Sequence, residues 1–169
     1  MLIQTEAAAA SIKFERSYEA SVEELWELWT TKEGFEAWWG PEGFRVEVRN
    51  LDLKVGGQLF YDMIASAPEH IEAMRQAGMP AAHETRGTIT EIVLHERLVI
   101  NHIIDFIPGV ESYENRMSVE FFPEGAMVRM VVTVAPHKDP YWTKQASAGM
   151  KSQLTKVPGA LNHRRAGRA

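Results

Sequence analysis

Alternation between apolar and polar residues is the dominant pattern of this chain, and it predicts seven β-strands. The strands are expected at residues 12–20, 44–53, 59–65, 84–93, 98–106, 113–122 and 127–135. The apolar parity changes near Asn50, which indicates a β-bulge in the second strand. Gly56-Gly57 predicts a hairpin turn, and short turn-like segments join the last four strands. An antiparallel meander is therefore expected.

Apolar residues at helical spacing predict two short helices after the first strand, one helix within the sheet and one long terminal helix. The starts of the first three are marked by capping boxes at Ser21, Thr30 and Ser66. The third box predicts a helix at residues 68–78, which is either a lid over a binding site or a surface insertion. The final helix should start at Asp139-Pro140 and be kinked by Pro158. Its apolar face is predicted to consist of Met150, Leu154, Val157 and Leu161.

The order of these elements predicts an α+β fold in one domain. A sheet of this length must curl, and the terminal helix is the element that can fill its concave side. A length of 169 residues suits a single domain, which we place at residues 12–163. Residues 1–11 and 164–169 are expected to be flexible tails.

Composition and charge exclude several classes of protein. The absence of Cys removes disulfide frameworks, thiolate zinc sites and cysteine nucleophiles. A net charge of −5 argues against a nucleic-acid-binding surface. No apolar stretch is long enough to cross a membrane, and no basic region precedes an apolar run at the N-terminus. We therefore expect a cytoplasmic protein with neither a nucleic-acid nor a membrane partner, and we leave a homodimer open.

Several sequence segments together resemble a known family. They are Phe14-Glu15-Arg16, Leu25-Trp26-Glu27-Leu28-Trp29-Thr30, Phe35-Glu36-Ala37-Trp38-Trp39-Gly40-Pro41 and Leu51-Asp52-Leu53-Lys54-Val55-Gly56-Gly57. In this combination the chain resembles the START-like or SRPBCC proteins, in the branch of homologues of the heat-shock-protein-90 ATPase activator. The resemblance implies a helix-grip fold, with a curved sheet of about seven strands around an internal cavity for an apolar ligand. One departure is Gly149-Met150, where the branch usually has a Gly-Trp pair.

Strand parity and the aromatic cluster nominate the residues of a ligand-binding cavity. They are Trp38, Trp39, Leu59, Tyr61, Met63, Ile89, Glu91, Ile100, His102, Met117, Met130, Met150 and Leu154. Tyr61, Glu91 and His102 are polar residues on otherwise apolar parities, so they must either pair with one another or meet a ligand. The cluster of tryptophans either packs the short helices onto the sheet or forms a pocket mouth.

The chain contains no catalytic, phosphate-binding or metal-binding motif, so no cofactor and no metal are expected. The first hypothesis is a protein that binds a small apolar molecule without turnover. The second is a polyketide cyclase-like enzyme that uses Glu91, His102 or Tyr61 as acid or base. The third, implied only by the family's name, is a stimulator of a chaperone ATPase. It ranks last because a lone domain lacks the additional binding module of the full co-chaperone.

Overall fold

The α+β helix-grip fold expected from the sequence is confirmed. The computed structural model describes residues 11–105, 107 and 109–168, and within them an antiparallel sheet has the order β1-β7-β6-β5-β4-β3-β2. Its strands are β1 (Ile12–Glu19), β2 (Phe44–Leu51), β3 (Gln58–Ala65), β4 (Ala82–Val93), β5 (Arg97–Ile104), β6 (Tyr113–Glu124) and β7 (Met127–Val134). Residues 1–10 of the predicted N-terminal tail and Phe106, the predicted end of the fifth strand, lie outside this description.

Irregular pairing at two positions bends the sheet. The register between β2 and β3 shifts between Val48 and Asn50, where the sequence predicts a bulge. A second shift, between Ile89 and Glu91 in β4, is not expected from the sequence. Because a bulge inserts one residue, it reverses which side chains point to the concave face beyond it.

Five helices accompany the sheet within the described ranges. They are α1 (Val22–Thr30), α2 (Lys32–Trp38), α3 (Pro68–Gln76), α4 (Pro140–Leu154) and α5 (Val157–Arg168). The capping box at Ser21 is confirmed, because its side chain accepts from Glu24 N–H and the Glu24 carboxylate accepts from Ser21 N–H. The box expected at Ser66 is wrong: α3 starts after Ala67, and the Ser66 hydroxyl donates to the carbonyl of Gly43 instead.

The C-terminal helix is bent rather than continuous. It is interrupted at Thr155 and Lys156, and Pro158 lies in the first turn of α5. A proline is tolerated there because the N–H groups of the first turn make no hydrogen bonds within the helix. The bend therefore lies just before Pro158, which the sequence pattern identifies as the site of the kink. Residues 164–168, assigned above to a tail, continue the helix, and Arg165 pairs with Glu24 of α1 at 2.7 Å.

The core fills only part of the concave side of the sheet. Side chains of α1, α2 and α5 pack there against the sheet. Among the largest side chains that are almost completely buried are Leu25, Leu28, Phe35 and Trp38. The indole N–H of Trp38 donates to the carbonyl of Leu28 at 2.9 Å, which ties the two short helices together. Across the described part of the chain, no helix has the length and apolar character needed to span a bilayer.

A candidate ligand-binding cavity

A cavity of about 620 Å³ lies between the concave face of the sheet and α4. Every strand of the sheet contributes to its walls, α4 covers it, and α3 borders it through His70 and Met74. Met79, which follows α3, also lines it. The volume is within the range of sites that hold small organic molecules, roughly 300–1,000 Å³. The cavity is partly open to solvent.

Several of the predicted site residues line this cavity together. They are Trp39, Tyr61, Met63, His102, Met117 and Met150. The others lie outside the cavity lining: Trp38, Leu59, Ile89, Glu91, Ile100, Met130 and Leu154. Apart from Glu91, these residues are buried in the core where α1, α2 and α5 fill the concave side. Strand parity identifies the correct face of the sheet, but it does not show how far along the strands the packed core extends.

Glu91 is the predicted site residue that the structure moves to a different face. The β4 bulge between Ile89 and Glu91 reverses the parity, so Ile92 packs against the core. The Glu91 side chain is 46% exposed, and its carboxylate lies 3.2 Å from the guanidinium of Arg97. The prediction that Glu91 could act inside the cavity is therefore wrong.

The tryptophan cluster has mainly a packing role, with one exception. Trp29 donates its indole N–H to the sulfur of Met130 at 3.4 Å, deep in the core. Trp39 stacks on Phe35, with ring centroids 4.8 Å apart, and also reaches the cavity wall. Its indole N–H donates to the hydroxyl of Tyr61 at 3.0 Å. Trp39 thus links the packed core to the polar part of the cavity.

A small polar network forms one wall of the cavity. The Tyr61 hydroxyl lies 3.4 Å from Nε2 of His102 and also hydrogen-bonds with Thr85. Burial lowers the pKa of His102 to about 4 and raises the pKa of Tyr61, although the hydrogen bonds from Trp39 and Thr85 oppose the latter shift. Both side chains are therefore neutral near pH 7, and the network is held by hydrogen bonds rather than by charges.

This wall also contains two polar residues that were not predicted from the sequence. Thr85 lies two residues before Gly87 on β4, and Asn115 lies two residues before Met117 on β6. Both are buried and line the cavity. Each has the same strand parity as neighbours that face the cavity, so parity alone could have predicted that both point inward.

Histidines are concentrated around the cavity. Of the six in the sequence, His70, His83, His102 and His137 line it. Burial lowers the pKa of His83 and His137 as well as that of His102, which favours neutral rings. Among the described residues, no group of three or more His, Asp or Glu side chains is arranged to hold a metal ion.

A curved antiparallel sheet that grips a C-terminal helix above an internal cavity defines a helix-grip protein. Residues 19–161 match the family model described as Activator of Hsp90 ATPase homolog 1-like protein. The chain therefore belongs to this family, as the sequence resemblance indicated.

Solved structures share this fold at low sequence identity. The AHSA1 protein from Silicibacter pomeroyi is 19% identical, with a TM-score of 0.71, and the match covers 92% of this chain and 99% of that one. A protein from Nitrosomonas europaea is also 19% identical, with a TM-score of 0.71 and coverage of 94% and 98%. CalU16 from Micromonospora echinospora is 16% identical, with a TM-score of 0.60 and coverage of 89% and 75%. The comparison with curated proteins gives no match.

Proposed function

We propose that this protein binds a small, largely apolar molecule in the cavity between the sheet and α4, and that it does so without chemical turnover. The observation that carries the proposal is the cavity itself, about 620 Å³ in volume, beside an otherwise closely packed core. Its walls combine apolar side chains with a few polar groups, the usual composition of a small-molecule site. Among the described residues that line the cavity, only Glu42 carries a carboxylate, and its side chain is exposed.

The ionisation of the polar wall favours binding over acid–base catalysis. A general base works best when its pKa is near the working pH. The pKa of His102, about 4, makes it a weak base at pH 7, and the raised pKa of Tyr61 makes it a weak acid. Glu91, the third residue proposed for proton transfer, lies outside the cavity. The same groups are well suited to orient a ligand by hydrogen bonds.

Gly149 provides a direct test of cavity use. It lies on α4 at the cavity wall, and a Cβ atom there would meet only Pro41 side-chain atoms, at 3.8 and 3.9 Å. Gly149→Phe should therefore place a ring in the cavity without disturbing the backbone. The matched control is Gly159→Phe on α5, where a Cβ atom would have no neighbour within 4 Å and which is not part of this cavity.

The assay is titration with N-phenyl-1-naphthylamine, a neutral apolar probe whose fluorescence rises on transfer out of water. We expect saturable binding to the unmodified chain and to Gly159→Phe, and at least about tenfold weaker binding to Gly149→Phe. Circular dichroism and thermal unfolding establish that each variant is folded. Equal binding by all three proteins, or no saturable binding by any, would overturn the proposed function.

A further inference from the structure

The polar wall of the cavity contains two neighbouring side chains whose hydrogen-bonding capacity is only partly used. His102 on β5 and Asn115 on β6 are paired directly across the two strands. They are 7% and 6% exposed, and both line the cavity. Side chains at paired positions of an antiparallel sheet have Cβ atoms roughly 4.5–5.5 Å apart. One ligand group can therefore contact both.

The contacts of Asn115 fix the orientation of its amide. Nδ2 lies 2.8 Å from the carbonyl oxygen of Ala135 and 3.4 Å from that of Pro136. A carbonyl oxygen only accepts, so the atom facing both must be the NH₂ group, and both of its hydrogens are used. Among the described residues, no side chain or backbone group donates to Oδ1. Asn115 thus offers the cavity a hydrogen-bond acceptor.

The contacts of His102 are satisfied by the tautomer that carries its proton on Nδ1. The indole N–H of Trp39 can only donate, so the oxygen of Tyr61 accepts that bond. The proton of Tyr61 is then available for Nε2 of His102, at 3.4 Å. A neutral imidazole that accepts at Nε2 carries its proton on Nδ1. Within the described part of the chain, Nδ1 has no acceptor, so His102 offers the cavity a hydrogen-bond donor.

We propose that the His102 Nδ1–H donor and the Asn115 Oδ1 acceptor together recognise a neutral ligand in which an acceptor stands beside a donor, as in a primary amide or a lactam. This inference rests on the proposed function of the same cavity. A ligand with both groups satisfies both side chains, whereas a ketone leaves Asn115 unpaired and a hydrocarbon leaves both unpaired. A carboxylate is disfavoured, because no Lys or Arg is among the lining residues and Asn115 Oδ1 would face its negative charge.

The experiment compares four probes that share one bicyclic body. They are 2-naphthamide, 2-acetonaphthone, 2-ethylnaphthalene and 2-naphthoate, each titrated at pH 7.5 as a competitor of N-phenyl-1-naphthylamine. We expect the amide to bind about tenfold more tightly than the ketone, and the carboxylate to bind most weakly. This comparison uses the unmodified chain, so it does not depend on the folding of a variant.

Two variants then assign the preference to the proposed side chains. Asn115→Leu removes the acceptor and should bring the amide and the ketone to within about twofold of each other. His102→Phe keeps a ring but removes the donor that amide and ketone both use, so it should bring the ketone to within about twofold of 2-ethylnaphthalene. The matched control is Met117→Leu, on the same wall two residues from Asn115, which should keep the preference. If the unmodified chain binds amide and ketone equally, if Asn115→Leu keeps the preference for the amide, or if His102→Phe keeps a preference for the ketone over 2-ethylnaphthalene, the inference is wrong and the proposed function stands. If the naphthylamine shows no saturable binding, both are wrong.

Discussion

Acidification should destabilise this protein through His102, because the folded chain holds that side chain neutral. Burial lowers the pKa of His102 from the ordinary value of 6.5 to about 4. Between these two pH values the unfolded chain binds a proton that the folded chain does not. The free energy of unfolding must therefore fall as the pH decreases from about 6.5 to about 4. Above pH 6.5 both states are neutral at this residue, and its contribution does not depend on pH.

The size of the effect follows from the shift. One pKa unit corresponds to about 1.4 kcal/mol, so a shift from 6.5 to about 4 corresponds to about 3 kcal/mol. Little solvent screening is expected, because His102 is only 7% exposed and its pKa shift is caused by burial alone. In a marginally stable domain, with an unfolding free energy of roughly 5–15 kcal/mol, this loss is readily measured.

The assay is urea unfolding of the unmodified chain and of His102→Gln at pH 7.5, 6, 5 and 4. Other groups with lowered pKa values, such as His83 and His137, affect both proteins alike, so the difference between the two isolates His102. We expect this difference in unfolding free energy to change by about 3 kcal/mol across the series, in favour of the variant at low pH. His163→Gln, at an exposed position of α5, is the control. A difference that is independent of pH would refute the argument.

Two further predictions concern the packing and charges of the helices. Gly34→Ala should lower the unfolding free energy by at least about 2 kcal/mol, since its Cβ would lie 2.1 Å from the carbonyl oxygen of Glu27. Gly159→Ala, at an open helical position, should raise it by about 0.5–1 kcal/mol; urea midpoints that move in the same direction would contradict this pair. Arg165→Ala should raise the pKa of Glu24, now about 2, mainly because the carboxylate loses its hydrogen bonds from Arg165. At neutral pH this partly exposed pair should contribute less than about 1 kcal/mol, as measured by urea unfolding, and NMR titration of Glu24 checks the pKa.

The strands and the antiparallel meander could be predicted because their physical causes are local, whereas the pairing of β1 with β7 joins distant segments and was not predicted. Alternating side chains report the buried face of each strand, and glycines mark turns that need a positive φ, as Gly56 does at 87°. The bulge in β4 could not be predicted in the same way, because a bulge of this kind requires no special residue. It alone accounts for the wrong placement of Glu91.

The extent of the cavity could not be predicted, because it depends on contacts between distant segments. The inward parity of β3 includes Leu59, Tyr61 and Met63, and nothing local to that strand distinguishes them. The structure separates Leu59, which is buried in the core, from the other two, which line the cavity. This division is set by how far the aromatic side chains of α1 and α2 extend over the sheet.

The polar wall gives a physical reason why the cavity is not closed by packing. If α4 moved onto the sheet and filled the space with apolar side chains, Nδ1 of His102 and Oδ1 of Asn115 would be buried without partners. Each buried, unsatisfied group of this kind costs about 1–3 kcal/mol, which offsets much of the gain from burying one additional apolar side chain. Both groups can instead be satisfied by solvent or by a polar group of a ligand. The position of the cavity and its polarity therefore have one cause, since the sheet keeps space beside the residues whose hydrogen bonds it does not complete.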